Sequence, residues 1–309
     1  MSLDINMDSQ KEKLRKVHSI LQDPNRKFIV VDGIIGAGKT TTIKEIETRF
    51  NNICNNDNKS DNDSNNDSNN NKSEDNKSED DNKSDNYNIK LKIKAIYEPV
   101  DKWKSTGSLE YFYKDIPKNA YAFQTFTYIT RISSVIDEIY DCPDADIYIL
   151  ERSIWTDRYI FMELLKDLIT NLEMNMYNEW CDMWAYILPL RVDKWVLLNT
   201  SLDESLKRIA SRNRDGEKSG ISVEYQTNLY KKHIEFYEKL VNDKKPVTII
   251  ESDIMDENFV GNNDKIDDII KQILDIDLKD FIVSDGGNEE NEKNEKKEFN
   301  IYEWVMSIF

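Results

Sequence analysis

Basic charge is scarce against acidic charge: 42 Lys+Arg face 59 Asp+Glu over 309 residues, a formal net charge of −17. So acidic a chain lacks the positive footprint that nucleic-acid binding requires, and anionic membranes repel it. Cysteine is scarce too. Cys54, Cys142 and Cys181 are odd in number and form no C-x-x-C pair, which excludes a disulfide framework. With only His18 and His233 besides, no zinc cluster can be assembled, and the expected compartment is reducing. No apolar run approaches the ~18 residues of a membrane span. Residues 1–26 hold Asp4, Asp8, Glu12 and Asp23 and no apolar h-region, which argues against a secretory or transit leader. The expectation is a cytoplasmic chain that partners neither nucleic acid nor membrane.

The charge is unevenly spread, with −6 on residues 55–88, −3 on 284–298 and −8 elsewhere. Apart from Tyr87, residues 55–88 are Asn, Asp, Ser, Lys and Glu, and they cannot bury enough apolar surface to offset their ordering entropy. A disordered insertion is expected there. Its Asn58-Lys-Ser-Asp61 and Asn82-Lys-Ser-Asp85 runs mimic a guanine-recognition motif but follow no hydrophobic strand, so biased composition accounts for them. The rest is expected to form one domain over 27–280, preceded by an extension at 1–26. An acidic extension at 281–309 follows, with an apolar end fit for docking.

Outside the insertion, short apolar runs alternate with longer amphipathic ones. Strands are expected at 28–31, 91–97, 147–150, 195–198 and 247–250. Helices are expected at 40–50, 120–140, 156–169, 202–212, 223–241 and 265–276. Strand alternating with helix predicts an α/β fold: a five-stranded parallel sheet with helices on both faces, its ligands beyond the carboxyl ends of the strands.

Directly after the first strand comes Gly33-Ile-Ile-Gly36-Ala37-Gly38-Lys39-Thr40, followed by Thr41. This is a full G-x-x-x-x-G-K-[ST] match running into a helix. The glycines let backbone N–H groups close around phosphate oxygens, Lys39 reaches the transferred phosphate, and Thr40 can ligate magnesium. A nucleoside triphosphate, ATP or another, is the expected ligand, with Mg2+.

Four more clusters are expected around the same crevice. Glu98-Pro99, with Trp103 one turn on, ends the second strand, where a carboxylate could accept a proton from an attacking hydroxyl. The third strand ends Glu151-Arg152-Ser153, followed by Asp157-Arg158-Tyr159; an acid and an arginine there suit magnesium binding and charge neutralisation. Gln124 and Arg131, seven residues apart, share a helix face, and Gln124 can address a base edge. Arg208, Arg212 and Arg214 precede Asp215-Gly-Glu217-Lys-Ser-Gly220, the composition of an arginine lid over phosphates.

Together these motifs resemble the deoxynucleoside kinase family, in the branch of deoxycytidine and deoxyguanosine kinases, over residues 27–50 and 89 to about 276. The resemblance implies a P-loop NTPase fold with an arginine lid, acting on a deoxynucleoside. It makes Glu98 the base for the 5′-hydroxyl, and Arg152 and the lid arginines the stabilisers of the transferring phosphoryl group. Glu151 would help hold magnesium. Tyr113 and Glu217 fall where the family binds the sugar 3′-hydroxyl, and Gln124 where it holds the base edge. Phe123 and Phe161 fall where it sandwiches the ring. A homodimer through helices matching 120–140 and 153–185 is also implied. The lid carries an extra residue around Lys218-Ser219, and the insertion and tail have no counterpart in the family pattern.

Two other readings stay open. A thymidylate-type monophosphate kinase shares the phosphate loop, the Asp-Arg-Tyr run and the lid, but usually has an Arg where Tyr97 stands. A catalytically silent P-loop binding subunit is the other, and retention of Lys39, Glu98 and Arg152 argues against it.

Overall fold

The structure, a computed structural model, describes residues 2–57, 91–212, 221–252 and 263–276. Most of the expected insertion, the lid loop from 213 to 220 and the 281–309 tail lie outside the described residues.

Five strands form one all-parallel sheet: β1 (Lys27–Asp32), β2 (Ile93–Ile96), β3 (Ile147–Glu151), β4 (Lys194–Asn199) and β5 (Val247–Glu251), in the order β2-β3-β1-β4-β5. β3 and β4 are buried along their whole length, which explains their unbroken apolar runs: helices cover both faces of a parallel sheet. After β1 the chain passes over β3 to build β2, and after β3 it returns past β1 to build β4. The order therefore reverses between β1 and β3, and a crevice opens at their carboxyl ends.

Helix α1 (Ser2–Gln22) packs on α5 (Ile116–Asp141) and inserts Val17 and Leu21 into the main core. Residues 1–26 had been expected only as an extension. Val17, Ile20 and Leu21 make one short i, i+3, i+4 stripe, too brief to stand out before its docking site is known. Helix α2 (Lys39–Asp57) follows the phosphate loop and runs into the first residues of the expected insertion. Between β2 and α5 lie two short helices that periodicity did not reveal, α3 (Val100–Ser105) and α4 (Ser108–Lys114), joined at Gly107 with φ 70°. They carry Trp103 and Phe112 into a small satellite core with Leu109, Ala120, Phe123 and Leu165.

The helix expected at 156–169 is broken. Ser153 and Thr156 cap a single turn, α6 (Ile154–Thr156), which passes into a π-helical turn over Asp157–Met162 and a 3-10 turn at Lys166–Leu168. π turns store an extra residue per turn and recur at functional sites. Helix α7 (Asn171–Ile187) then starts at Thr170, whose capping box with Glu173 was readable in the sequence as T-x-x-E. Helices α8 (Leu202–Arg212), α9 (Val223–Asn242) and α10 (Asn263–Leu274) complete the layers close to their expected bounds.

Candidate active site

The phosphate loop leaves the end of β1 in a conformation that needs glycine. Gly33 has φ 149° and Gly36 φ 84°, and a Cβ on Gly33 would lie 2.7 Å from the Leu198 carbonyl oxygen. Gly33 itself is set back from the crevice, while Gly36, Ala37, Gly38, Lys39, Thr40 and Thr41 line it. Lys39 Nζ donates to the carbonyls of Gly33 and Ile34, both at 3.0 Å. Burial pushes its pKa down to about 7, with Arg152 acting in the same direction against Glu98, Glu151 and Asp32. Thr40 Oγ1 donates to Glu151 Oε1 at 2.6 Å, joining the start of α2 to the end of β3.

Among the described residues no group of three or more His, Cys, Asp or Glu could cage a metal. The Thr40 hydroxyl and Glu151 carboxylate suit magnesium instead, which keeps several waters and is shared with substrate phosphates.

Across the crevice four charged side chains form one cluster. Arg152 holds Glu98 through Nη1 at 2.8 and 2.9 Å and the Gly33 carbonyl through Nη2 at 3.0 Å. Its backbone sits at φ 61°, a costly conformation for an arginine, with its N–H bonded to the Val31 carbonyl at 3.0 Å. Arg131 reaches Asp157 with Nε at 2.7 Å and Nη2 at 3.1 Å, Glu98 with Nη2 at 2.9 Å, and the Glu151 carbonyl with Nη1 at 3.0 Å. Burial alone would raise the pKa of Glu98, but Arg152, Arg131 and Lys39 overcome it and hold the carboxyl well below the usual carboxylate range. For Asp157, 2% exposed, burial wins and the pKa is raised despite Arg131.

From this cluster a cavity of about 440 Å³ runs from the phosphate loop to the satellite core. Trp103 donates from Nε1 to Thr130 Oγ1 at 2.8 Å and packs edge-on against Phe123. Phe123 stacks on Phe112 with centroids 4.4 Å apart. Phe161, from the π turn, lies under the Arg152 guanidinium at 4.8 Å. Gln124 is 3% exposed and lines the cavity, where its amide offers both a donor and an acceptor to a polar ligand. Tyr113 lines the same wall.

The sequence-predicted residues thus converge, with Arg208 at the phosphate end bonded to Glu204 at 2.9 Å and to the Ser252 carbonyl at 3.0 Å. The Arg212 side chain, Arg214 and Glu217 lie outside the described residues. Sequence reasoning missed Phe112, Thr127 and Tyr225, which also line the cavity. Thr127 lies three residues after Gln124 and was accessible from helical spacing. Phe112 and Tyr225 belong to no local motif and reach the cavity only through the packing of α4 and α9.

The profile of a family described as deoxynucleoside kinase matches residues 83–277, well over half of the chain. A Fowlpox virus protein designated a probable deoxycytidine kinase is 29% identical over 59% of this chain and 76% of its own. Deoxycytidine kinase 2 of Gallus gallus is 28% identical over 62% of this chain and 81% of its own. The mitochondrial thymidine kinase 2 of Macaca fascicularis is 28% identical over 56% and 68%.

Proposed function

The chain belongs to the deoxynucleoside kinase family and is a nucleoside kinase, and we propose that it transfers the γ-phosphoryl group of ATP to the 5′-hydroxyl of a deoxynucleoside. The observation that carries this is the position of Glu98, in one cavity with the phosphate loop on one side and Gln124 and Phe123 on the other. In this reading Glu98 orients the hydroxyl and accepts its proton, while Lys39 and Arg152 meet the charge on the transferring phosphoryl group. Bound Mg2+ would neutralise donor phosphate charge, held by Thr40 and Glu151. Gln124 takes the base edge, Phe123 and Phe161 its two faces, and Tyr113 the sugar. The remaining lid residues, Arg212, Arg214 and Glu217, are assigned from the motif alone.

We further propose a preference for deoxycytidine or a purine deoxynucleoside over thymidine. The bidentate Arg131–Asp157 pair supports it: the pair would crowd a 5-methyl group and offer an acceptor to an exocyclic amine. A panel of the four natural deoxynucleosides with ATP tests the preference, and thymidine as the best acceptor would overturn it. Including thymidine monophosphate tests the monophosphate-kinase alternative. Tyr97, where that class usually carries an arginine, donates to Glu47 at 2.9 Å and offers no cation to an acceptor phosphate.

A homodimer belongs to the same proposal. Leu172, Met176, Trp180, Met183 and Ile187 follow one another on α7 at spacings of four, four, three and four, all exposed, with Ile129 of α5 exposed as well. An apolar stripe of that length on a surface helix supports a partner face. No described helix is long and apolar enough to cross a membrane, and the odd cysteine set supports a cytoplasmic setting.

A further inference from the structure

Two helices converge on one backbone oxygen of the phosphate loop. Ser205, in the first turn of α8, donates from Oγ to the Ile35 carbonyl at 2.9 Å. Gln226, in the first turn of α9, donates from Nε2 to the same carbonyl at 2.6 Å and to Ser205 Oγ at 2.5 Å. Both side chains are fully buried. The available protons allow one arrangement: the single hydroxyl proton of Ser205 goes to Ile35, and the two amide protons of Gln226 go to Ile35 and Ser205. A flipped amide would set oxygen against oxygen, so its neighbours fix the orientation of Gln226. Oε1 is left buried with no partner among the described residues. A leucine would fill the same volume without an orphaned acceptor, so packing alone does not account for glutamine here.

The consequence falls on the next N–H. No cis peptide occurs among the described residues, and in a planar trans peptide the N–H points opposite to the C=O. Donors drawing the Ile35 carbonyl towards α8 and α9 therefore aim the Gly36 N–H the other way. Ile35 and Gly36 both line the cavity, and the Gly36 N–H bonds to no described residue. α8 also blocks retreat of the loop, since a Cβ on Gly36 would lie 2.7 Å from the Ser205 carbonyl oxygen.

We propose that Ser205 and Gln226 are positioning residues for the phosphate donor: they hold the Ile35–Gly36 peptide so that its N–H is presented to a phosphate oxygen of the bound nucleoside triphosphate. This rests on the reading of the phosphate loop as the donor site. The test is steady-state kinetics of Gln226→Leu, Ser205→Ala and the double variant, with ATP and nucleoside varied in turn, alongside Tm. Each single variant should raise the KM for ATP about five- to tenfold, on the scale of one neutral hydrogen bond. The KM for the nucleoside should stay within about twofold. Gln226→Leu should melt at or above the unmodified protein because the orphaned oxygen is gone. Since both side chains serve one carbonyl, the double variant should lose less than the product of the singles. An unchanged KM for ATP, or parallel changes in both KM values with a falling Tm, would overturn the inference and leave the pair as packing. If the unmodified enzyme takes no nucleoside triphosphate as donor, the reading of the loop itself fails, and the inference falls with it.

Discussion

Arg131 and Glu98 meet at 2.9 Å through Nη2, and the same nitrogen, together with Nε, holds Asp157. The carboxylate proposed to accept the substrate proton and the carboxylate proposed to face the base are therefore neutralised by one cation. Neither can be changed without altering the charge balance at the other.

Glu98→Gln should fold and bind nucleoside but lose roughly 10² or more in kcat, because a positioned base contributes ~10²–10⁴-fold. Stopped-time assays with the nucleoside saturating measure this, and a kcat near normal would remove Glu98 from proton transfer. Arg152, buried with Glu98 as its ion-pair partner, would lose that carboxylate, so Tm should fall as well, and kcat is compared at a temperature where the variant is folded.

Changing both members of the base-site pair, Arg131→Met with Asp157→Ala, should raise kcat/KM for thymidine relative to deoxycytidine. Absolute kcat should fall for every nucleoside, since Glu98 loses one of its two ion-pair partners while Arg152 still holds it. Arg131→Met alone should damage the enzyme generally by leaving Asp157 buried without its partner. A thymidine-to-deoxycytidine ratio unmoved in the double variant would show that the pair does not read the base.

Donor binding should take up protons near neutral pH. Burial lowers the pKa of Lys39 to about 7 in the free enzyme, and triphosphate oxygens favour its charged form. Affinity for ATP should therefore weaken as pH rises above about 7. Titration calorimetry in buffers of different ionisation enthalpy should report the uptake. The same shift affects stability. Between about pH 7 and the ordinary lysine pKa the unfolded chain binds more protons at this site, so its contribution to stability rises with pH. Below pH 7 burying the charged ammonium is a cost, and Lys39→Met should melt higher there while losing turnover.

Trp180→Glu with Met176→Glu should turn a dimer into a monomer, because two charges would have to be buried in an apolar contact. Sedimentation velocity distinguishes the species. An unmodified protein that sediments as a monomer across the micromolar range would refute the proposed face.

The phosphate loop was legible because its chemistry is local: three glycines, a lysine and a threonine at fixed spacing dictate their own backbone path. Alternating apolar runs predicted the parallel sheet for a similar reason, since the central residues of strands buried on both faces are apolar and polar ones fall at their ends. The order in which Glu98, Gln124, Arg131, Glu151, Arg152 and Asp157 occur was readable too. Their pairing was not. Arg131 could have met any of several acids, and only the packing of α5 across the ends of the neighbouring strands β2 and β3 brings Glu98 and Asp157 together on its guanidinium, where they share Nη2. The π turn that carries Asp157 and Phe161 replaced a helix that periodicity predicted, because a one-residue bulge leaves the local apolar pattern almost unchanged. Ser205 and Gln226 show the limit most sharply: an ordinary serine and glutamine near helix starts, they acquire a common partner only when α8 and α9 pack on the loop. Residue spacing determines what a segment can do alone, whereas which distant charges and dipoles share one desolvated space is decided by the packing that excludes water around them.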